Sequence, residues 1–228
     1  MHTQNRKGKI FVIDGLDGSG KATQARRLVE RLKKEGKQVE TIDFPRYKDN
    51  FMGKLIRECL DGKEGDFLAV SPRIVSVLYA RDRHESSPLI QKWLAEGKIV
   101  VIDRYVSSNQ IHQGGKIRDD AKRKEFLTWL DQLEHESFGI PRPDAIVYLH
   151  VPVEVSMKLA RDRALKKGEA PDKAEVDTKH QLESQESALS IIKSANNWFR
   201  IDCGNGVGGM RPEDVIHEEV FQAIQSVM

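Results

Sequence analysis

The run Gly15-Leu16-Asp17-Gly18-Ser19-Gly20-Lys21 follows four apolar residues, Ile10 to Ile13, and opens onto a helical pattern that starts near Ala22. That order predicts a strand, a tight glycine-rich loop and a helix. Small residues at G-x-x-x-x-G-K spacing let successive backbone N–H groups turn toward a phosphate at a helix N-terminus, while the lysine reaches the outer phosphates. Gly15 to Thr23 are therefore the candidate nucleotide-phosphate residues, with Lys21 as the gripping cation. The hydroxyl that usually follows such a lysine and holds magnesium is replaced by Ala22. Thr23 comes one place later, about 100° further round the helix, and points away from that site.

The rest of the chain alternates strand-like and helical runs. Leu28, Val29 and Leu32 mark the buried stripe of the first helix, whose basic residues form a solvated face, and Gly36 stops it. Val39 to Phe44 is a second strand, ended by Pro45 and followed by Arg46 and Tyr47. Phe51 to Leu60 is a short helix. Ser71-Pro72 and Ser87-Pro88 each look like a helix start, which predicts two helices, the first with Ile74, Val75, Leu78 and Tyr79 inward. Tyr79 and Arg83 share a helix face, and the plain reading of Arg81, Asp82 and Arg83 is a surface ion-pair cluster. Ile99 to Ile102 reads as a central parallel strand and ends in Asp103-Arg104-Tyr105, with an amide- and hydroxyl-rich segment, Ser107 to Gln113, after it.

Further along, Asp119 to Glu136 is a charged helix, Ala145 to Leu149 a strand, and Val153 to Lys167 a helix with a basic end at Arg161, Arg163, Lys166 and Lys167. Gly168 to Lys173 is polar with glycine and proline, which suits a short lid at roughly 161–176. Asp177 to Ser194, including Leu182, is a further helix, Trp198 to Ile201 a strand, and Pro212 to Val227 the closing helix. Five strands alternating with helices predict an α/β fold, a five-stranded parallel sheet covered on both faces, with residues 1–228 as one domain.

With 37 Lys plus Arg against 35 Asp plus Glu, the net charge of +2 gives no basic excess of the kind that marks nucleic-acid binding. No apolar run approaches the about 18 residues of a membrane span and the N-terminus lacks a signal-peptide core, so a cytoplasmic protein is expected. Cys59 and Cys203 are isolated from each other and from clustered histidines, which indicates neither zinc nor a disulfide framework.

Three strand ends thus carry chemistry: a phosphate loop, an arginine, and Asp103-Arg104. In an open α/β sheet ligands collect at those ends. Two phosphate centres are implied, as needed to move a phosphoryl group from one phosphate to another. A monophosphate acceptor has a second pKa of about 6 and is largely ionised at neutral pH, so positioning and charge neutralisation suffice.

Gly15 to Lys21, Phe44-Pro45-Arg46-Tyr47 and Asp103-Arg104-Tyr105-Val106-Ser107-Ser108-Asn109 together resemble the thymidylate kinases, over nearly the whole chain. The resemblance implies a P-loop kinase fold, ATP-dependent conversion of dTMP to dTDP with Mg2+, and a homodimer. It places Asp17 near the sugar 3′-hydroxyl, and Phe44, Pro45, Arg46, Tyr47 and Arg104 around the acceptor. Tyr79 would stack on thymine, Arg83 would reach a base carbonyl, Ser108 and Asn109 its polar edge, and His112 would lie beside the sugar. Gly18 stands where some members carry an arginine, so this chain is similar to the branch that draws its catalytic arginine from the lid, here Arg163 or else Arg161. Asp17, Asp103 and Glu175 are the candidate metal carboxylates, and Asp172 and Glu175 match acidic lid positions.

Two rivals remain on sequence. A deoxynucleoside kinase would use Asp43 as general base but leave Arg46 without a phosphate. A non-catalytic nucleotide-binding regulator would explain Ala22 as lost catalysis.

Overall fold

The computed structural model describes residues 7–168 and 176–228. The chain runs β1 (Lys9–Gly15), α1 (Lys21–Lys34), β2 (Val39–Asp43), α2 (Phe51–Leu60), α3 (Pro72–Ala95), β3 (Ile99–Asp103), α4 (Val106–Gly115), α5 (Asp120–Asp131), β4 (Ala145–His150), α6 (Val153–Lys167), α7 (Thr178–Ile192), β5 (Trp198–Asp202) and α8 (Glu213–Gln225). All strands are parallel, in the order β2-β3-β1-β4-β5. Their carboxyl ends therefore share one edge, and the loops after β1, β2 and β3 meet there.

Alternation along β1 builds the two layers. Ile10 and Val12 pack with Ile90 and Leu94 of α3, Ile111 of α4 and Ala188 of α7. Phe11 and Ile13 face the other way, onto Leu28 and Leu32 of α1 and Val220 and Phe221 of α8. α4 lies very close to α7 because Gly114 and Gly115 carry no side chain. A Cβ on Gly115 would come within 2.7 Å of the Glu183 carbonyl, and one on Gly114 within 2.9 Å of Ser187 Oγ. Among the described residues, no helix is long and apolar enough to cross a membrane.

Three local expectations are corrected. The two helices expected around Ser87-Pro88 are one, α3, with Pro88 inside it. Pro88 itself is exposed, and burial of Ser87, Ile90 and Leu94 on the core side carries the helix through a start signal that is only local. Ile74 faces outward, 58% exposed, as does Leu182 on α7. The helix from Asp119 stops at Asp131 and widens into a π-turn, Gln132–Ser137, which turns Glu134 into the interior. The lid residues 169–175, with Asp172 and Glu175, lie outside the described residues.

Candidate active site

Gly18 and Gly20 take positive φ values of 82° and 89°, and a Cβ on Gly18 would strike the Ser156 carbonyl at 2.2 Å. The loop therefore fits against the first turn of α6 only as glycine, and Ser156 Oγ donates to the Asp17 carbonyl there. Lys21 is buried and folds back over the loop, donating to the carbonyls of Gly15 at 3.0 Å and Leu16 at 2.7 Å, with Asp17 Oδ1 at 3.8 Å. Ala22 is exposed on the first turn of α1, Thr23 is half-buried beside it, and Ser19 Oγ is buried without a partner.

A carboxylate that the sequence reading missed pins this loop. Asp14, fully buried, accepts from its neighbour Gly15 N at 2.8 Å and from the hydroxyls of Ser107 at 2.5 Å and Ser108 at 2.9 Å. Its only signal in the sequence is an acid at the end of an apolar strand. Ser108, expected on the base edge, thus spends its hydroxyl on Asp14 while still bordering the cleft.

The cleft between the ends of β1, β2, β3 and the helices α2, α3, α4, α6 and α7 encloses about 420 Å³. Asp17, Asp103, Arg104 and Arg163 line its phosphate-loop end; Phe44, Pro45, Tyr47, Tyr79, Arg83, Ser108, Asn109 and His112 line the rest. Arg104 is the hinge of this arrangement. Its φ of 63° is the left-handed value that side-chain-bearing residues rarely hold, and its guanidinium pairs with Asp17 and reaches His112 Nε2 at 3.4 Å. Burial works against the charges of Arg104 and Asp17, yet their mutual attraction wins: Arg104 is raised above the usual arginine range and Asp17 lies well below the carboxylate range. Burial, then Arg104, lowers Lys21 to about 8. Asp103 sits in register with Asp43 on the neighbouring strand; one of its oxygens is buried without a partner, and burial raises its pKa.

Arg83 is the largest correction. It belongs to no surface cluster: only 2% exposed, it forms a two-pronged pair with Glu134, at 2.7 and 2.5 Å, and donates to the Tyr105 carbonyl at 3.2 Å. Asn109 donates to the same Glu134 at 2.9 Å. Asp82, also buried, holds Asn50 and the backbone N–H of Arg46. Arg46 does not border the cleft; its guanidinium pairs with Asp49 at 3.0 Å, because the turn after Pro45 points it sideways. Arg161 is exposed and away from the cleft, whereas Arg163 borders it two residues on. Gln113, at the end of the amide-rich segment, borders the cleft with its Oε1 buried without a partner, and residues not anticipated on the cleft wall include Arg57, which lies over the Tyr47 ring at 5.4 Å, Lys116 and His180.

Among the described residues, no group of three or more His, Cys, Asp or Glu could enclose a metal ion. The donors present are hard carboxylates, Asp17 and the unpartnered oxygen of Asp103, beside a phosphate loop. That fits magnesium, which binds through one or two carboxylates, phosphates and several waters rather than in a protein cage.

A parallel sheet with a phosphate loop after β1, cations converging on that loop, and an aromatic and amide-lined cleft next to it define a P-loop phosphotransferase acting on nucleotides. The thymidylate kinase family model matches residues 13–211. A thymidylate kinase of Mycobacterium tuberculosis is 32% identical over 215 residues, covering 90% of this chain and 99% of that protein. A probable thymidylate kinase of Thermococcus kodakarensis is 36% identical over 224 residues, covering 96% and 98%. A solved thymidylate kinase structure from Candida albicans superposes with a TM-score of 0.72 at 26% identity, over 97% of this chain and 92% of that one. The chain belongs to the thymidylate kinase family.

Proposed function

We propose that the protein transfers the γ-phosphoryl group of ATP to dTMP, giving dTDP and ADP. One observation carries the reading: Arg104 joins the Asp17 carboxylate of the phosphate loop to a cleft whose far wall holds Tyr79, Arg83 and Asn109. Donor and acceptor sites therefore share one cation.

The acceptor phosphate oxygen is already ionised, so no side chain has to remove a proton. Lys21 leaves the Gly15 and Leu16 carbonyls to meet the donor phosphates, Arg104 faces the acceptor phosphate, and Arg163 reaches the transferring group from α6. Asp17, with water and with Asp103 nearby, would hold magnesium from the acceptor side, and the ion would supply charge neutralisation on the donor phosphates. Tyr79 offers a stacking face for the base, and Arg83, locked by Glu134, offers a fixed donor. Residues 1–228 act as one domain. A homodimer in the cytoplasm completes the reading.

A panel of nucleoside monophosphates with ATP and magnesium tests it. dTMP should be the best acceptor, with dUMP within about 10- to 200-fold, since one methyl group discriminates by about 1–3 kcal/mol. Thymidine should be inert, because no phosphate would then meet Arg104. Equal rates with dTMP and GMP, or phosphorylation of thymidine, would overturn the assignment.

A further inference from the structure

His112, half-buried on α4, sits where three elements meet. One ring nitrogen, Nε2, lies 3.4 Å from Arg104 Nη1, and the other, Nδ1, lies 3.2 Å from Ser184 Oγ on α7. Its ring stacks on that of His180, one helical turn before Ser184, with centroids 5.6 Å apart and planes 25° apart. The close approach of α4 to α7 at Gly114 and Gly115 brings these groups together.

The chemistry of the partners fixes the protons. A guanidinium can only donate, so Nε2 must carry the lone pair and Nδ1 the hydrogen, which Ser184 Oγ then accepts. Charged and titratable groups act on the ring from each element packed against it: Asp17 and Lys21 of the phosphate loop, Arg104 at the end of β3, and His180 on α7, itself near Lys116, Asp177 and Glu183. Burial keeps His112 well below the usual imidazole range in spite of the pull of Asp17, so the ring is neutral.

We propose that His112 is a positioning residue for Arg104: its neutral Nδ1–H form, set by Ser184 and backed by the stacked ring of His180, offers the lone pair that turns the Arg104 guanidinium into the cleft. The inference rests on the reading of Arg104 as the acceptor-phosphate cation. Asp17 holds one end of that guanidinium and His112 the other, which leaves the remaining N–H groups directed at the acceptor. α7 thereby sets the orientation of Arg104, just past the end of β3, through His112.

Nitrogen-15 NMR of the histidine side chains in the unaltered protein reads the tautomer directly. Nδ1–H on His112 is expected, and Nε2–H would overturn the proposal. In kinetics, His112→Phe keeps the ring and removes the acceptor, and should lower kcat/KM for dTMP roughly 10-fold, as for loss of one charge-assisted hydrogen bond. His112→Gln places an amide oxygen near the old Nε2 position and should recover most of that loss. In an Arg104→Ala background, His112→Phe should change nothing further, because the two act as one unit. Equal damage from Phe and Gln, or full additivity with Arg104→Ala, would mean a packing role only. Should His112→Phe fail to fold, Ser184→Ala replaces it: the imidazole signal should shift toward Nε2–H, and an unchanged tautomer would count against the proposal. If the unaltered protein shows no dTMP-dependent turnover, the acceptor reading itself has failed, and the tautomer measurement still decides His112.

Discussion

Lys21 turns its ammonium inward onto two loop carbonyls, and burial together with Arg104 lowers its pKa from 10.5 to about 8. The unfolded chain then binds that proton more tightly than the folded one, so this group's penalty is full below pH 8 and is relieved as pH rises toward 10.5. Denaturant titrations of the free protein should show Lys21 adding stability across that window. Activity runs the other way: kcat/KM for ATP should decline above pH 8 as Lys21 loses its charge, and a profile flat to pH 10 would show that Lys21 is not the gripping cation. Arg163 and Arg161, alike in sequence, separate by position. Arg163→Ala should lower kcat about 100-fold or more with little change in dTMP affinity, since its charge is needed mainly as transfer proceeds, while Arg161→Ala should stay within a few-fold. Steady-state kinetics and dTMP titration of the two variants check the split. The phosphate loop and Arg104 were legible in the sequence because their spacing to a strand end fixes where they point, and Tyr79 on the cleft was legible only through the family resemblance. Arg46 was not, since a turn after proline leaves its direction to the partner it finds, Asp49. Asp14 and His180 were invisible because burial and partners distant in sequence, rather than spacing, give them their places.

α3 and the π-turn after α5 together fix the Arg83 wall of the cleft. Neither element announces this by itself: Arg83 and Glu134 are 51 residues apart, and the widened turn at Gln132–Ser137 is what aims Glu134 inward. Both side chains are almost wholly removed from water, so removing one leaves an uncompensated buried charge. Glu134→Ala should therefore cost about 3–5 kcal/mol of stability by chemical denaturation, and should also weaken dTMP binding by freeing Arg83 and Asn109. A loss under about 1 kcal/mol would mean that water replaces the carboxylate and that the pair is dispensable. The continuous α3 has a related logic. Serine-proline at residues 87–88 carries a valid local start signal, but the core contacts of Ser87, Ile90 and Leu94 outweigh it. Helix boundaries were thus the least legible feature, and strand positions, set by apolar runs of β-branched residues, the most.

Taken entire, the molecule puts the first strand of its sequence at the centre of its sheet. β1 is flanked by β3 and β4, and β2, next in the chain, touches only β3. The long crossover through α2 and α3 therefore has to be closed before β3 can pair with β1 or β2, an arrangement that makes folding slow relative to a fold of local contacts. A chain growing from its N-terminus holds two strands and no sheet until Ile99–Asp103 has been made, at which moment one segment can pair with both. A fragment ending at Gly97 should accordingly show helix but no protected strand amides. During refolding of the full chain, pulse-labelled hydrogen exchange should protect β1, β2 and β3 in a single phase. Protection of β2 ahead of β3 would require a partner for it that the folded sheet does not provide. The strand that leads into the phosphate loop is, during synthesis, an apolar segment made some eighty residues ahead of its neighbour, so the growing chain carries an unpaired strand edge, the kind of surface that invites aggregation, until β3 emerges.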